Sequence, residues 1–116
     1  MIKTAALEAM SALSSGVRLD VYRLLVKMGT EGMVSSDIAK SLDIPLTNTS
    51  FHLKTLVQAK LALVEQQGRF QRYRANIPQM LEVIAFLTEN CCANDSGACR
   101  PMRDAVPGLD KVLPHL

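Results

Sequence analysis

No apolar run in this sequence approaches the roughly 18 residues that a membrane-spanning helix needs. The first eight residues already contain Lys3 and Glu8, so the apolar core of a secretory signal is lacking as well. These two absences argue against a membrane or secreted protein and predict a cytoplasmic one.

Cysteine is absent from the first 90 residues, and the three cysteines of the chain all stand between positions 91 and 99. An odd number of cysteines without a secretory signal argues against a disulfide scaffold and for metal, redox or catalytic use. Histidine is also scarce, since the chain has only His52 and His115. A histidine-based zinc site within one subunit is therefore not expected.

The length and charge of the chain fit one small domain. Its 116 residues include 13 lysines and arginines and 11 acidic residues, which leaves a formal net charge of +2. A domain of this size has one modest core, and a dimer that buries additional apolar surface would stabilise it. The charge balance permits a nucleic-acid partner without requiring one, because many solvated surfaces have a similar balance.

Apolar spacing predicts a mainly α-helical fold with a small β-hairpin. Helices are expected over residues 5–13, 17–28 and 35–42, from residue 46 onward, and over 78–90. Gly29 ends the second of these helices, and Pro45 prevents the third from continuing. Ser35 or Ser36 could cap the third helix. Apolar residues of the first helix, such as Leu7, and of the last one need a partner.

The short third helix, the tight turn and the polar-faced fourth helix predict a helix-turn-helix. In the fourth helix one face is expected to be buried, and it consists of Leu46, Thr49, Leu53, Leu56 and Val57. The outer face offers short polar groups for base edges and a cation for phosphates, as a helix in the major groove requires. The candidate DNA-contacting residues of this helix are Thr47, Asn48, Ser50, Phe51, His52 and Lys54.

Two of these side chains suggest particular base contacts. Asn48 has the paired donor and acceptor that match the edge of adenine, whereas Phe51 offers an apolar surface for a thymine methyl group. The alternative is a solvated helix face in an ordinary small domain. The exposed position expected for Phe51 weighs against that alternative, because a large apolar residue on a polar face usually has a partner.

A β-hairpin is expected directly after the helix-turn-helix. Residues 62–66 and 70–75 have strand-forming composition, and they flank a loop in which Gly68 can adopt positive φ. The loop and the returning strand contain Arg69, Arg72 and Arg74. A basic hairpin at this place would add phosphate or minor-groove contacts, although the arginines could also serve solubility alone.

The ordered combination of these segments resembles the ArsR/SmtB family of winged-helix metalloregulatory repressors. The resemblance extends over residues 13–75 and is carried by ALSSGVRLDVYRLL, by SFHL in the fourth helix and by the QQGRFQRYRA hairpin. It implies a homodimer that pairs through its first and last helices and binds operator DNA when unloaded. Release of the DNA on binding of a metal or metalloid is implied as well.

The chain also departs from the family pattern. Many arsenic repressors have Cys-Val-Cys at the start of the first motif helix, where this chain has Val34, Ser35 and Ser36. The aspartate and histidine zinc ligands of other members find no match in residues 78–90. Residues 1–90 are thus expected to form the DNA-binding and dimerisation domain, and residues 91–116 a sensor segment with an irregular tail.

The sensor expected in that segment is a thiolate site formed by Cys91, Cys92 and Cys99. Soft thiolates select thiophilic ions, and three of them suit the pyramidal coordination of As(III) or Sb(III) better than the four-ligand preference of zinc. Cys91 and Cys92 alone would suffice for monomethylated As(III), which has two open positions. The resemblance supports this assignment, since some arsenic sensors of the family use cysteines near this helix end.

Three other functions remain open at this stage. The cysteines could form a redox switch on a DNA-binding protein, in which Cys91 or Cys92 makes a disulfide with Cys99. A thiol-dependent reductase is the second, and the lack of a Cys-x-x-Cys at a helix start weighs against an enzyme. The third is a winged helix that makes protein contacts only, with the cysteines incidental or holding zinc between subunits.

Overall fold

The computed structural model describes residues 1–89, 101–102 and 104–109. Two compact units, Met1–Phe86 and Leu87–Leu116, divide the chain, and the architecture below is that of the first. The helices are α1 (Lys3–Ala12), α2 (Gly16–Met28), α3 (Ser35–Leu42), α4 (Leu46–Gln58) and α5 (Ile77–Thr88). The strands are β1 (Met33–Val34), β2 (Ala62–Gln67) and β3 (Phe70–Ala75). No helix among these described residues is long and apolar enough to cross a membrane.

The predicted mainly α-helical fold with a small hairpin is confirmed. At the start of α2, the Ser15 hydroxyl accepts a hydrogen bond from the backbone N–H of Arg18, and Gly29 follows the last residue with φ +61°. α3 begins at Ser35, and its N-cap Val34 makes no side-chain capping bond, so the predicted serine cap is wrong. Asp43 ends α3 in the left-handed conformation, two residues before Pro45, which is the N-cap of α4.

The sheet contains one strand more than the predicted hairpin. β3 lies in the middle of an antiparallel sheet of order β1-β3-β2, with Met33 opposite Tyr73 and Val34 opposite Arg72. β1 leads directly into α3. A strand of two residues is too short to produce an alternating pattern, so the sequence could not reveal it.

The core forms where α2, α3 and α4 meet the base of the sheet. Its largest fully buried side chains include Leu25, Ile38, Leu53 and Leu56. Leu46 was predicted to share the buried face of α4, but it is 51% exposed because it stands at the very start of the helix, before the turns that pack inward. The fully buried residues of α4 are Thr49, Leu53 and Leu56, and the predicted Val57 packs partly against the core.

Replacing Leu53 by alanine is expected to lower the free energy of unfolding by about 2 to 5 kcal/mol. Leu53 is fully buried, so the truncation loses apolar burial and leaves a cavity in the core. Leu46→Ala on the same helix is the matched control and should change the stability little. Urea denaturation of both variants measures the difference, and equal midpoints would contradict the packing described here.

The terminal helices of this unit leave apolar side chains uncovered. α1 packs inward through Ala6, Ala9 and Ala12, while Leu7 is 54% exposed. α5 contains no fully buried residue, although Met80 and Val83 pack partly against the core. Small residues thus make the inward contact of α1, and its larger apolar residues Leu7 and Met10 stay exposed in a single copy.

Candidate nucleic-acid interface

The outer side of α4 presents a continuous polar surface. Thr47, Asn48, Ser50, Phe51 and Lys54 are all exposed, and we call these five residues the recognition face. Their exposure follows from the inward period of Thr49, Leu53 and Leu56, which leaves the intervening positions outside. The buried Thr49 hydroxyl is satisfied within the helix, since it donates to the Pro45 carbonyl at 3.0 Å.

Two features orient side chains on the recognition face. The Thr47 hydroxyl donates to the Asn48 side-chain oxygen at 3.4 Å, so the Asn48 amide group keeps its own N–H donors for another partner. Phe51 is 64% exposed, and its ring and that of His52 meet edge to face with 6.0 Å between their centroids. The exposure that the sequence predicted for Phe51 is confirmed.

His52 has a different environment from the other predicted contacts. It is half-buried, and its Nδ1 is buried without a hydrogen-bond partner among the described residues. A side chain turned partly inward can touch DNA only through the rest of its ring. Contact between His52 and DNA therefore stays a prediction.

We call the β2–β3 hairpin the wing, and its arginines divide into two kinds. Arg72 donates from Nε to Gln67 at 2.8 Å and from Nη1 to the Glu31 carbonyl at 3.1 Å. Arg74 donates from Nε to the Thr30 carbonyl at 2.8 Å. These two side chains fasten the wing to the short 3₁₀ turn Gly29–Glu31 that follows α2.

Arg69 stands apart from the other two arginines. It is exposed in the turn of the wing, and the described part of the chain offers its guanidinium no hydrogen-bond partner. Sequence reasoning treated Arg69, Arg72 and Arg74 as equivalent. The carbonyl partners of Arg72 and Arg74 lie some forty residues earlier in the chain, so no local sequence pattern predicts these hydrogen bonds.

A carboxylate lies among the cations of the wing. Glu65 accepts a hydrogen bond from Gln67 at 2.6 Å and pairs with Arg74 at 3.5 Å. The Gln67 hydrogen bond and then the positive charge of Arg74 hold the pKa of this carboxyl below its ordinary value. Glu65 therefore offsets the charge of Arg74, while Arg72 and Arg69 keep their positive charge.

The predicted metalloid sensor consists of three cysteines near the end of the chain. Cys91, Cys92 and Cys99 lie outside the described residues. Within residues 1–89, 101–102 and 104–109, no cluster of three histidine, cysteine or acidic side chains could hold a metal ion.

Comparisons with known proteins agree with this geometry. Residues 13–65 match the family model described as a helix-turn-helix domain, and none of the curated proteins matches the chain. An ArsR-like transcriptional regulator from Rhodococcus sp. RHA1 is similar in structure, with a TM-score of 0.64 and 21% identity over 89% of this chain and 93% of that one.

Two further structures are informative. A homodimeric winged helix-turn-helix DNA-binding domain from Mycobacterium bovis has a TM-score of 0.58 and 22% identity, over 76% of this chain and 82% of that one. MepR from S. aureus, solved in a complex with DNA, has a TM-score of 0.55 and 17% identity, over 84% of this chain and 85% of that one. The chain therefore contains a helix-turn-helix domain and has the winged helix-turn-helix fold.

Proposed function

We propose that this protein is a DNA-binding transcriptional repressor of the ArsR type, which leaves its operator when trivalent arsenic or antimony binds. The observation that carries the DNA-binding part is the recognition face, an exposed polar helix surface followed along the chain by the wing with Arg69 at its tip. This arrangement suits a helix in the major groove flanked by a phosphate or minor-groove contact. The structural similarity to the ArsR-like regulator from Rhodococcus and to MepR in its complex with DNA supports the DNA-binding part of the proposal.

Binding as a homodimer through α1 and α5 is part of this proposal. Leu7 on α1 and Leu81 on α5 are about half exposed, and α5 has no fully buried residue in a single copy. A second copy would cover these side chains and would stabilise a small domain. Two-fold symmetry then requires an inverted-repeat operator, with one half-site for each α4. The homodimeric Mycobacterium bovis domain supports this mode of assembly.

The metalloid response rests on the sequence alone. Cys91, Cys92 and Cys99 supply three soft thiolates within nine positions, and these follow α5 along the chain. Coordination of As(III) or Sb(III) by these thiolates would draw the segment together next to a dimerisation helix. A resulting change in the pairing of the two copies would alter the distance between their recognition faces. An allosteric coupling of about 1 to 3 kcal/mol would suffice to release the operator.

The proposal is tested by titrating the reduced full chain with arsenite, and separately with methylarsenite. The measured signal is the fluorescence anisotropy of a labelled duplex that the protein selects from a random-sequence pool. Release near one equivalent of metalloid per chain is the expected result. Release by peroxide alone, reversed by a reductant, would favour the redox switch. Failure to bind any duplex would refute the DNA-binding function itself.

The salt dependence of binding gives a residue-level prediction. Arg69→Ala should weaken binding to all duplexes and reduce the slope of log affinity against log salt by about 1, since one phosphate contact is lost. Arg23→Ala, which removes an exposed arginine of α2 outside the predicted DNA contacts, is the matched control. Anisotropy titrations over a range of salt concentrations measure both slopes. An unchanged slope for Arg69→Ala would remove this residue from the interface.

A further inference from the structure

The tip of the wing carries a large apolar side chain that is exposed to solvent. Phe70, the first residue of β3, is 56% exposed and stands opposite Gln67 across the two-residue turn Gly68–Arg69. A large apolar group in a polar hairpin tip points to a partner, as it does for Phe51 on the recognition face. The chain has three phenylalanines, so these two exposed rings account for most of them. Phe70 was not among the contacts that the sequence predicted.

Other side chains hold the tip of the wing in place. Gln66 donates to the carbonyl of Gly68 at 2.8 Å, which braces the turn from within. Gln67 bridges Arg72 and Glu65, with distances of 2.8 Å and 2.6 Å. Neither network uses Arg69 or Phe70. The tip is thus held in place by other side chains and exposes one cation and one aromatic ring at consecutive positions of the chain.

We propose that Phe70 enters the minor groove of the operator beside Arg69 and packs there against the sugars and base edges. This inference rests on the proposed DNA-binding function and adds a contact to it. Proteins that bind the minor groove combine a cation with an inserted apolar side chain, and the two adjacent residues at the tip supply this pair. In the proposed complex, α4 lies in the major groove, and the wing that follows it along the chain reaches the neighbouring minor groove.

The charge at the tip favours DNA over a second copy of the chain as the partner of Phe70. Two wing tips packed against each other through Phe70 would bring their Arg69 side chains together, and like charges in contact oppose such a pairing. The negative potential of a narrow minor groove instead attracts Arg69. Because Phe70 is the next residue, its ring would enter the groove together with the arginine.

The test compares the full chain with Phe70→Ala and Phe70→Leu on the duplex that the wild-type protein selects from a random pool. Phe70→Ala should weaken binding about tenfold, within the range of an aromatic contact with a base, while Phe70→Leu should retain most of the affinity. The second arm replaces guanine by inosine outside the α4 half-sites. Inosine lacks the 2-amino group in the minor groove and leaves the major-groove edge unchanged. It should strengthen binding of the wild type and leave Phe70→Ala unaffected.

The possible outcomes separate the minor-groove contact of Phe70 from the DNA-binding function itself. Equal affinities of the wild type and Phe70→Ala, or the same inosine effect on both, would overturn the minor-groove contact and leave the DNA-binding function intact. Wild-type protein that binds no duplex would overturn both. Because Phe70 is exposed, both variants should melt with the wild type. If Phe70→Ala melts earlier, the inosine effect on the wild type and on Phe70→Leu decides.

Discussion

Replacing Gly32 by alanine is expected to lower the free energy of unfolding by roughly 3 to 5 kcal/mol, a large part of the stability of a small domain. Gly32 has φ +65° and is buried where the chain enters β1. A Cβ atom there would press against the carbonyl oxygen of Tyr73 and lie 2.7 Å from Cγ of Arg74. The central strand would have to move, because the first of these atoms belongs to the backbone.

Gly29→Ala is the matched control for that variant. Gly29 has a nearly identical φ of +61°, but an added Cβ would meet nothing within 4 Å. Its cost is therefore the backbone strain alone, about 1 to 3 kcal/mol. Urea denaturation of both variants separates the two causes. Equal losses would show that conformation decides the cost, and that the close approach to β3 does not add to it.

Replacing Cys91 and Cys92 together by serine is expected to abolish release of DNA by arsenite and by methylarsenite. Serine is a hard oxygen ligand that does not form the stable bonds to trivalent arsenic that a thiolate forms. The wild type should lose about 5-fold to 150-fold in operator affinity on saturation, and the double variant should lose nothing. Anisotropy titrations with each metalloid measure this difference.

The single variant Cys99→Ser distinguishes two thiols from three. It should weaken the response to arsenite, which has three open positions, and leave the response to methylarsenite in place. Affinity of the metalloid-free variants for DNA serves as the control and should match the wild type. Full release from the double variant by arsenite would show that the signal enters elsewhere in the chain.

The features that were predictable from sequence are those that repeat along the chain. The spacing of apolar residues located α1 to α5, and the inward period of Leu53 and Leu56 placed the recognition face outside. Glycine and proline set the ends of α2 and α3 because their backbone preferences act locally. The same local information placed the loop of the wing at residues 67–69, and in the structure β2 extends through Gln67, which leaves Gly68 and Arg69 as the turn.

Contacts between distant segments were not predictable in this way. Arg72 and Arg74 look like surface cations in the sequence, but their partners are the carbonyls of Glu31 and Thr30. The inward contact of α1 is made by Ala6, Ala9 and Ala12, which the sequence analysis did not single out. Such pairings depend on which distant segments the fold brings together. A single sequence contains no local pattern from which these contacts can be predicted.

The two residues of β1 join the two parts of the proposed DNA-binding surface. Because β1 pairs with β3 and leads directly into α3, the start of the helix-turn-helix is hydrogen-bonded to the wing. In the homodimer proposed above, an inducer would therefore act on the pairing of the two copies rather than on the arrangement within one copy, and inducer specificity could change while the proposed DNA-contacting surface stays the same.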